Sequence, residues 1–129
     1  MAISDIPILS MLRTRMQWHQ ERQRILAENV ANSDMPNFRP RDLVEPKIGA
    51  PPAAMGLSRT DPGHLVTTGG TSTQFEIDQR VGYQVRPGGN AVNLEDEMLK
   101  VASNQMDYQA ATALYSRSLD LIKIALGKK

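Results

Sequence analysis

The stretch VNLEDEMLKVASNQMDYQAATALYSRSLDLIKIAL, residues 92–126, decides the fold. Steps of alternately four and three residues from Leu94 land on Met98, Val101, Gln105, Tyr108, Thr112, Tyr115, Leu119, Ile122 and Leu126. All but Gln105 and Thr112 are apolar or aromatic, and neither Pro nor Gly interrupts the run. That alternation averages 3.5 residues per turn, so the side chains form one narrow seam along a helix. Asn93 stands where an N-cap belongs, with Asp96 placed as the acidic partner of a capping box. Gly127 ends the pattern, and Lys123, Lys128 and Lys129 suit the negative end of the helix dipole. At 1.5 Å per residue the helix is roughly 50 Å long, too long for the core of a small globule. The spacing therefore predicts a coiled-coil-like packing element. Gln105 and Thr112, one heptad apart, weaken the seam and restrict its register.

Working toward the N-terminus, a second helical pattern runs from about Asp5 to about Ser33, capped by Ser4 or Asp5, with Pro7 in its first turn. Its seam passes through Leu12, Met16, His19, Gln23, Leu26 and Val30, and is polar in the middle. No second His or Cys accompanies His19, so it reads as a hydrogen-bonded interface residue and not as a metal ligand. Arg13, Arg15, Arg22 and Arg24 are interleaved with Glu21 and Glu28 and scatter around the helix, which describes a solvated or subunit-facing surface. The helix must stop before Pro36. Asn29 and Asn32 precede that stop and suit a C-cap and turn.

Between the helices the chain changes character. Six of the eight prolines and eight of the nine glycines fall between Pro40 and Gly89, so no long helix forms there. Residues 50–54, APPAA, read as an extended link. Phe75 and Ile77, then Val81, Tyr83 and Val85, alternate as two short strands of a hairpin would. Ser58, Asp61 and His64 lie close in sequence, but no nucleophile elbow or oxyanion hole accompanies them, and His64 reads as a turn residue.

Composition narrows the function. Fifteen Lys and Arg balance fourteen Asp and Glu, a formal +1, which provides no field for nucleic acid. Cysteine is absent, excluding disulfides and a cysteine nucleophile. No run approaches the roughly 20 apolar residues of a membrane span. The first residues lack a basic segment followed by an apolar one, so no cleaved secretory signal is expected.

Residues 29–39, NVANSDMPNFR, resemble the Asn-Ile-Ala-Asn-x-x-Thr-Pro-Gly-Tyr-Lys signature of bacterial flagellar rod and hook proteins. Asn29, Ala31, Asn32 and Pro36 are identical to it, Val30, Phe38 and Arg39 are conservative, and Met35 and Asn37 depart from it. Residues 89–98, GNAVNLEDEM, resemble the segment that opens the C-terminal helix in the same family. Residues 104–110, NQMDYQA, and 121–127, LIKIALG, with Arg59, Thr60 and His64, are similar to its proximal rod members.

The resemblance implies a mainly α fold. Two long terminal helices pack as an antiparallel coiled-coil-like inner domain, and a Gly/Pro-rich centre carries at most a short β-hairpin. The expected division is 1–39, 40–90 and 91–129. It implies no enzyme, cofactor, metal or small-molecule substrate. The expected role is a structural subunit of the periplasmic proximal rod, exported by the flagellar type III apparatus and polymerising through its terminal helices into a hollow drive shaft. The implied partners are further copies of itself, the rod protein FlgC, the adaptor FliE and the export gate. The competing expectation is a soluble coiled-coil module such as a secretion chaperone or adaptor.

Overall fold

The computed structural model describes residues 6–47, 75–78 and 85–127. Two helices dominate, α1 (Pro7–Ala31) and α2 (Leu94–Ala125), separated in sequence by two short strands, β1 (Asp42–Leu43) and β2 (Ile77–Asp78). The helices are antiparallel. Asn29 in the last turns of α1 meets Glu97 in the first turn of α2, while His19 meets Asn104 and Gln20 meets Tyr108. The expected mainly α fold with paired terminal helices is what forms.

With 25 residues in α1 and 32 in α2, the helices are about 38 and 48 Å long. Extending the observed pairings sets Pro7 opposite roughly Leu119, so about the last two turns of α2 run past the described start of α1. Asn93 caps α2 by accepting from the Glu95 N–H at 3.2 Å, and Glu95, Asp96 and Glu97 place negative charge at the positive end of the dipole. At the far end the Gly127 N–H donates to Ile124 O, with Gly127 at φ 71°. A glycine reaches that left-handed conformation at no steric cost.

The start of α1 differs from expectation. The residue before the helix is Ile6, which makes no side-chain cap bond, and Pro7 follows at once. Residues 4 and 5 lie outside the described residues. Proline has no N–H to satisfy, which removes one of the donors a polar cap would serve. The Leu9 and Ser10 N–H groups bond Ile6 O.

The strands are also differently arranged. Leu43 faces Ile77 and Asp42 faces Asp78 in an antiparallel pair, and the Val44 N–H donates to Glu76 O at 2.9 Å. Of the strand expected at Phe75 and Ile77, only Ile77 lies in a strand, and the partner of that strand is the segment leaving α1. Val85 is exposed and in no strand; residues 81 and 83 fall outside the described residues. The pairing follows from burial, because Leu43 closes a cluster with Trp18 and Ile25 of α1 to which Phe75 and Ile77 add. The segments 50–54 and 58–64 also lie outside the described residues.

Candidate assembly interface

Both helices meet the middle of the chain at one junction, built almost entirely from asparagines. Asn29 is buried inside the last turns of α1. Its Nδ2 donates to Arg41 O at 2.6 Å and to Glu97 Oε2 at 2.8 Å, and its Oδ1 accepts from the Arg41 N–H at 3.0 Å. One side chain thereby ties α1, the segment leading into β1, and α2. Asn32 donates to Glu28 O at 2.7 Å, holding the helix exit. Asn90 clamps the other strand of the junction: Nδ2 donates to Asn32 O and Met35 O, and Oδ1 accepts from the Val92 N–H. The Ala91 N–H reaches Phe38 O and the Asn37 N–H reaches Gly88 O, so the two segments bond each other through backbone as well.

Two residues of the junction need left-handed backbone. Asn37 sits at φ 59°, a conformation asparagine tolerates better than most residues, so it serves where the family signature has Gly. Gly89 sits at φ 78°, and a Cβ there would lie 2.1 Å from Asn37 Oδ1. A side chain at that point would have to displace the Asn37 side chain.

Along α2, the positions turned to α1 are Glu97, Val101, Asn104, Tyr108, Ala111, Tyr115, a track with four-three spacing. Glu97, Asn104 and Ala111 are buried while the others are half-buried. Lys100 Nζ donates to Glu97 Oε1 at 2.8 Å, so both oxygens of the buried carboxylate are engaged. Asn104 Nδ2 donates to His19 O and to Gln23 Oε1, both at 2.9 Å. That orientation makes Asn104 Oδ1 an acceptor 2.7 Å from His19 Nδ1, and the imidazole proton therefore sits on Nδ1.

The opposite face of α2 carries exposed apolar residues toward each end, with Ala110, Ala113 and Arg117 between them. Leu99, Met106, Leu121 and Ile124 are 69%, 64%, 61% and 71% exposed, and helical geometry sets them away from the side that meets α1. Isolated exposed leucines are ordinary, but large apolar residues grouped on one face mark a candidate interaction surface.

The other flank of α1 holds β1. Arg22 grips Asp42 with two parallel bonds, Nε to Oδ1 at 2.8 Å and Nη2 to Oδ2 at 2.9 Å, and its guanidinium lies 5.2 Å from the Trp18 ring centroid. Burial alone would raise the Asp42 carboxyl; the Arg22 bonds, the Leu43 N–H and the guanidinium charge outweigh it and hold the group below its ordinary value. Trp18 Nε1 donates to Val44 O at 2.8 Å, and Arg15 reaches Glu45 at 2.5 Å. On the outer surface Arg24 pairs with Glu21 and Glu28, and Arg41 pairs with Glu28. No group of three His, Cys, Asp or Glu that could hold a metal occurs among the described residues. No described helix is long and apolar enough to cross a membrane.

The residues singled out in the sequence are distributed unevenly. Of the signature, Asn29 and Asn32 make the junction bonds, Phe38 contributes its carbonyl and is half-buried, and Ala31, Pro36 and Arg39 are exposed. On the α1 seam Leu26 is buried and Leu12, Met16 and Val30 are half-buried. On the α2 seam Val101, Tyr108, Tyr115, Leu119 and Ile122 are half-buried, whereas Leu94, Met98 and Leu126 face outward. The column Val101, Tyr108, Tyr115 is thus common to the expected seam and the contact with α1. The contact completes it with Glu97, Asn104 and Ala111 instead of Met98, Gln105 and Thr112. Asn90, Glu97, Asn104 and Gly89 were not anticipated; polar residues recurring in heptad phase with Val101 and Tyr108 were the available signal.

No family model matches the chain. It is 28% identical to the flagellar basal body rod protein FlgB of Agrobacterium fabrum over 123 residues, covering 88% of this chain and 87% of that one. It is 27% identical to the protein of that name from Escherichia coli over 104 residues, covering 74% and 75%. The FlgB of Proteus mirabilis is 33% identical over 98 residues, covering 70% of this chain and 72% of that one. Likeness of that degree over that much of both molecules, on two helices joined through the Asn29–Arg39 signature, means that this chain belongs to the FlgB family of flagellar basal body rod proteins.

Proposed function

We propose that this structural protein of the flagellar basal body forms the proximal rod by polymerising through its terminal helices, with the bare face of α2 as the principal contact between copies. The observation that carries the reading is the exposure of Leu99 and Met106 on the side of α2 turned away from α1, and of Leu121 and Ile124 where α2 runs past the described start of α1. Burying one such side chain contributes about 1.5–3 kcal/mol, so a group of them provides a contact that strengthens as subunits surround it. The helical parts, 1–39 and 91–129, then form the inner wall of the axial structure, and 40–90 the outward portion. Export by the flagellar type III apparatus precedes assembly, and the neighbours are other copies of this chain, FlgC, FliE and the export gate. The role is mechanical and requires no catalytic group.

The test is a chain carrying Leu121→Asp and Ile124→Asp, expressed in place of the native one. Its helical circular dichroism should match the native chain, because neither residue touches the junction. Cells should make the protein yet lack a complete rod by electron microscopy, and should not swim. Normal rods and motility would overturn the reading. A finite soluble oligomer without axial neighbours would point instead to an adaptor module.

A further inference from the structure

The inner track of α2 is the less apolar of its two sides, although it is the side that is buried. Glu97 and Asn104 stand on it one heptad apart, 2% and 1% exposed, and their partners Asn29 and His19 on α1 are 1% and 2% exposed. Every hydrogen-bonding atom of Glu97 and Asn104 at the contact has a partner on α1 or on Lys100. A helix offered to this track by another copy, presenting an apolar stripe like that of Leu99 and Met106, would strand a carboxylate and an amide away from water. Removing partners from buried polar groups is far more costly than never burying them. Polar residues at core positions of paired helices select register and partner in this way.

We propose that Glu97 with Asn29 and Asn104 with His19 form a selection key, which admits this chain's own α1 to the inner track of α2 and rejects apolar helices of other copies. The outer face remains free for assembly because the inner one discriminates. The key concerns the pairing of the two helices within a chain, and its test does not read rod formation, so it stands or falls separately from the assembly reading.

The chain contains no cysteine, which makes a cross-linking test clean. Gln20 and Tyr108 touch across the helix pair at 3.1 Å. One full-length chain carries Met106→Cys on the outer face of α2 and another carries Tyr108→Cys on its inner track; the two are mixed unfolded, refolded together at low concentration, and treated with a short bismaleimide. A chain with Gln20→Cys and Tyr108→Cys reports the intrachain link between α1 and α2. With the native key the mixed chains should give only background heterodimer. When both also carry His19→Leu and Asn104→Leu, heterodimer should rise at least tenfold with helicity retained. Glu97→Gln, which keeps an acceptor for Asn29, should stay near background. Unchanged background in the leucine pair would overturn the proposal. So would abundant heterodimer with the native key. Loss of helicity in the leucine pair would also overturn it, by showing that these contacts hold the fold and do not choose the partner.

Discussion

The two ends of α2 are held in opposite ways. Near Glu97 the helix is tied by Asn29, by Lys100 and, through Asn90 and Val92, by the exit of α1. Near Ile124 it carries Leu121, Ile124 and Leu126 exposed, beside half-buried Leu119 and Ile122 and an exposed Lys123–Asp120 pair at 3.7 Å. One end is completed by hydrogen bonds inside the chain, while the other presents apolar side chains that no described residue hydrogen-bonds or covers fully. Directional polar bonds specify one geometry and close on themselves, whereas apolar burial is non-directional and is open to whatever arrives.

The contrast predicts a graded set of effects. Asn29→Ala removes three hydrogen bonds and leaves Glu97 Oε2 buried without that donor, so it should cost about 3 kcal/mol in chemical denaturation. Leu121→Ala at the open end should change the same measurement by less than about 0.5 kcal/mol; similar values for the two would erase the contrast. Gly89→Ala should cost about 1–2 kcal/mol for left-handed backbone, with further loss if the Asn37 side chain does not move aside. Amide exchange should be at least about tenfold slower at 97–104 than at 118–125, since local opening follows the density of buried contacts. Uniform protection along α2 would show that the far end needs no neighbour.

The smallest effect is expected from acid. Asp42 is held below its ordinary carboxyl value in the folded chain. Its contribution is therefore complete above about pH 5, where the unfolded group is almost fully ionised, and is lost as pH falls through the lower folded value. Asp42→Asn should flatten that part of the stability-versus-pH curve, measured by denaturation between neutral and strongly acid pH. An unaltered acid limb would mean that the Arg22 pair is not what titrates.

The legible features were the local ones. Asn93 and Gly127 mark the ends of α2 through bonds made within a few residues, and an uninterrupted heptad pattern announces the helix between them. The departure near Pro36 is likewise written in proline's effect on its neighbour. Two features were harder to read. Leu43 pairs with Ile77 across a long sequence gap, and no two-residue hairpin turn joins the two. On α2, Val101, Tyr108 and Tyr115 belong equally to two possible seams, and the more apolar choice runs through Met98. The chain's own α1 takes the other, through Glu97 and Asn104.

Sequence by itself determined two long helices, both ends of α2, a broken middle, and an asparagine-rich exit, because each depends on backbone preferences and on spacing along one element. Only the tertiary structure decided which side of α2 meets α1 and which side is left bare. Apolar periodicity measures the wish to leave water but names no partner; that choice belongs to Asn29, His19, Glu97 and Asn104, whose hydrogen bonds can be counted only once both helices stand side by side.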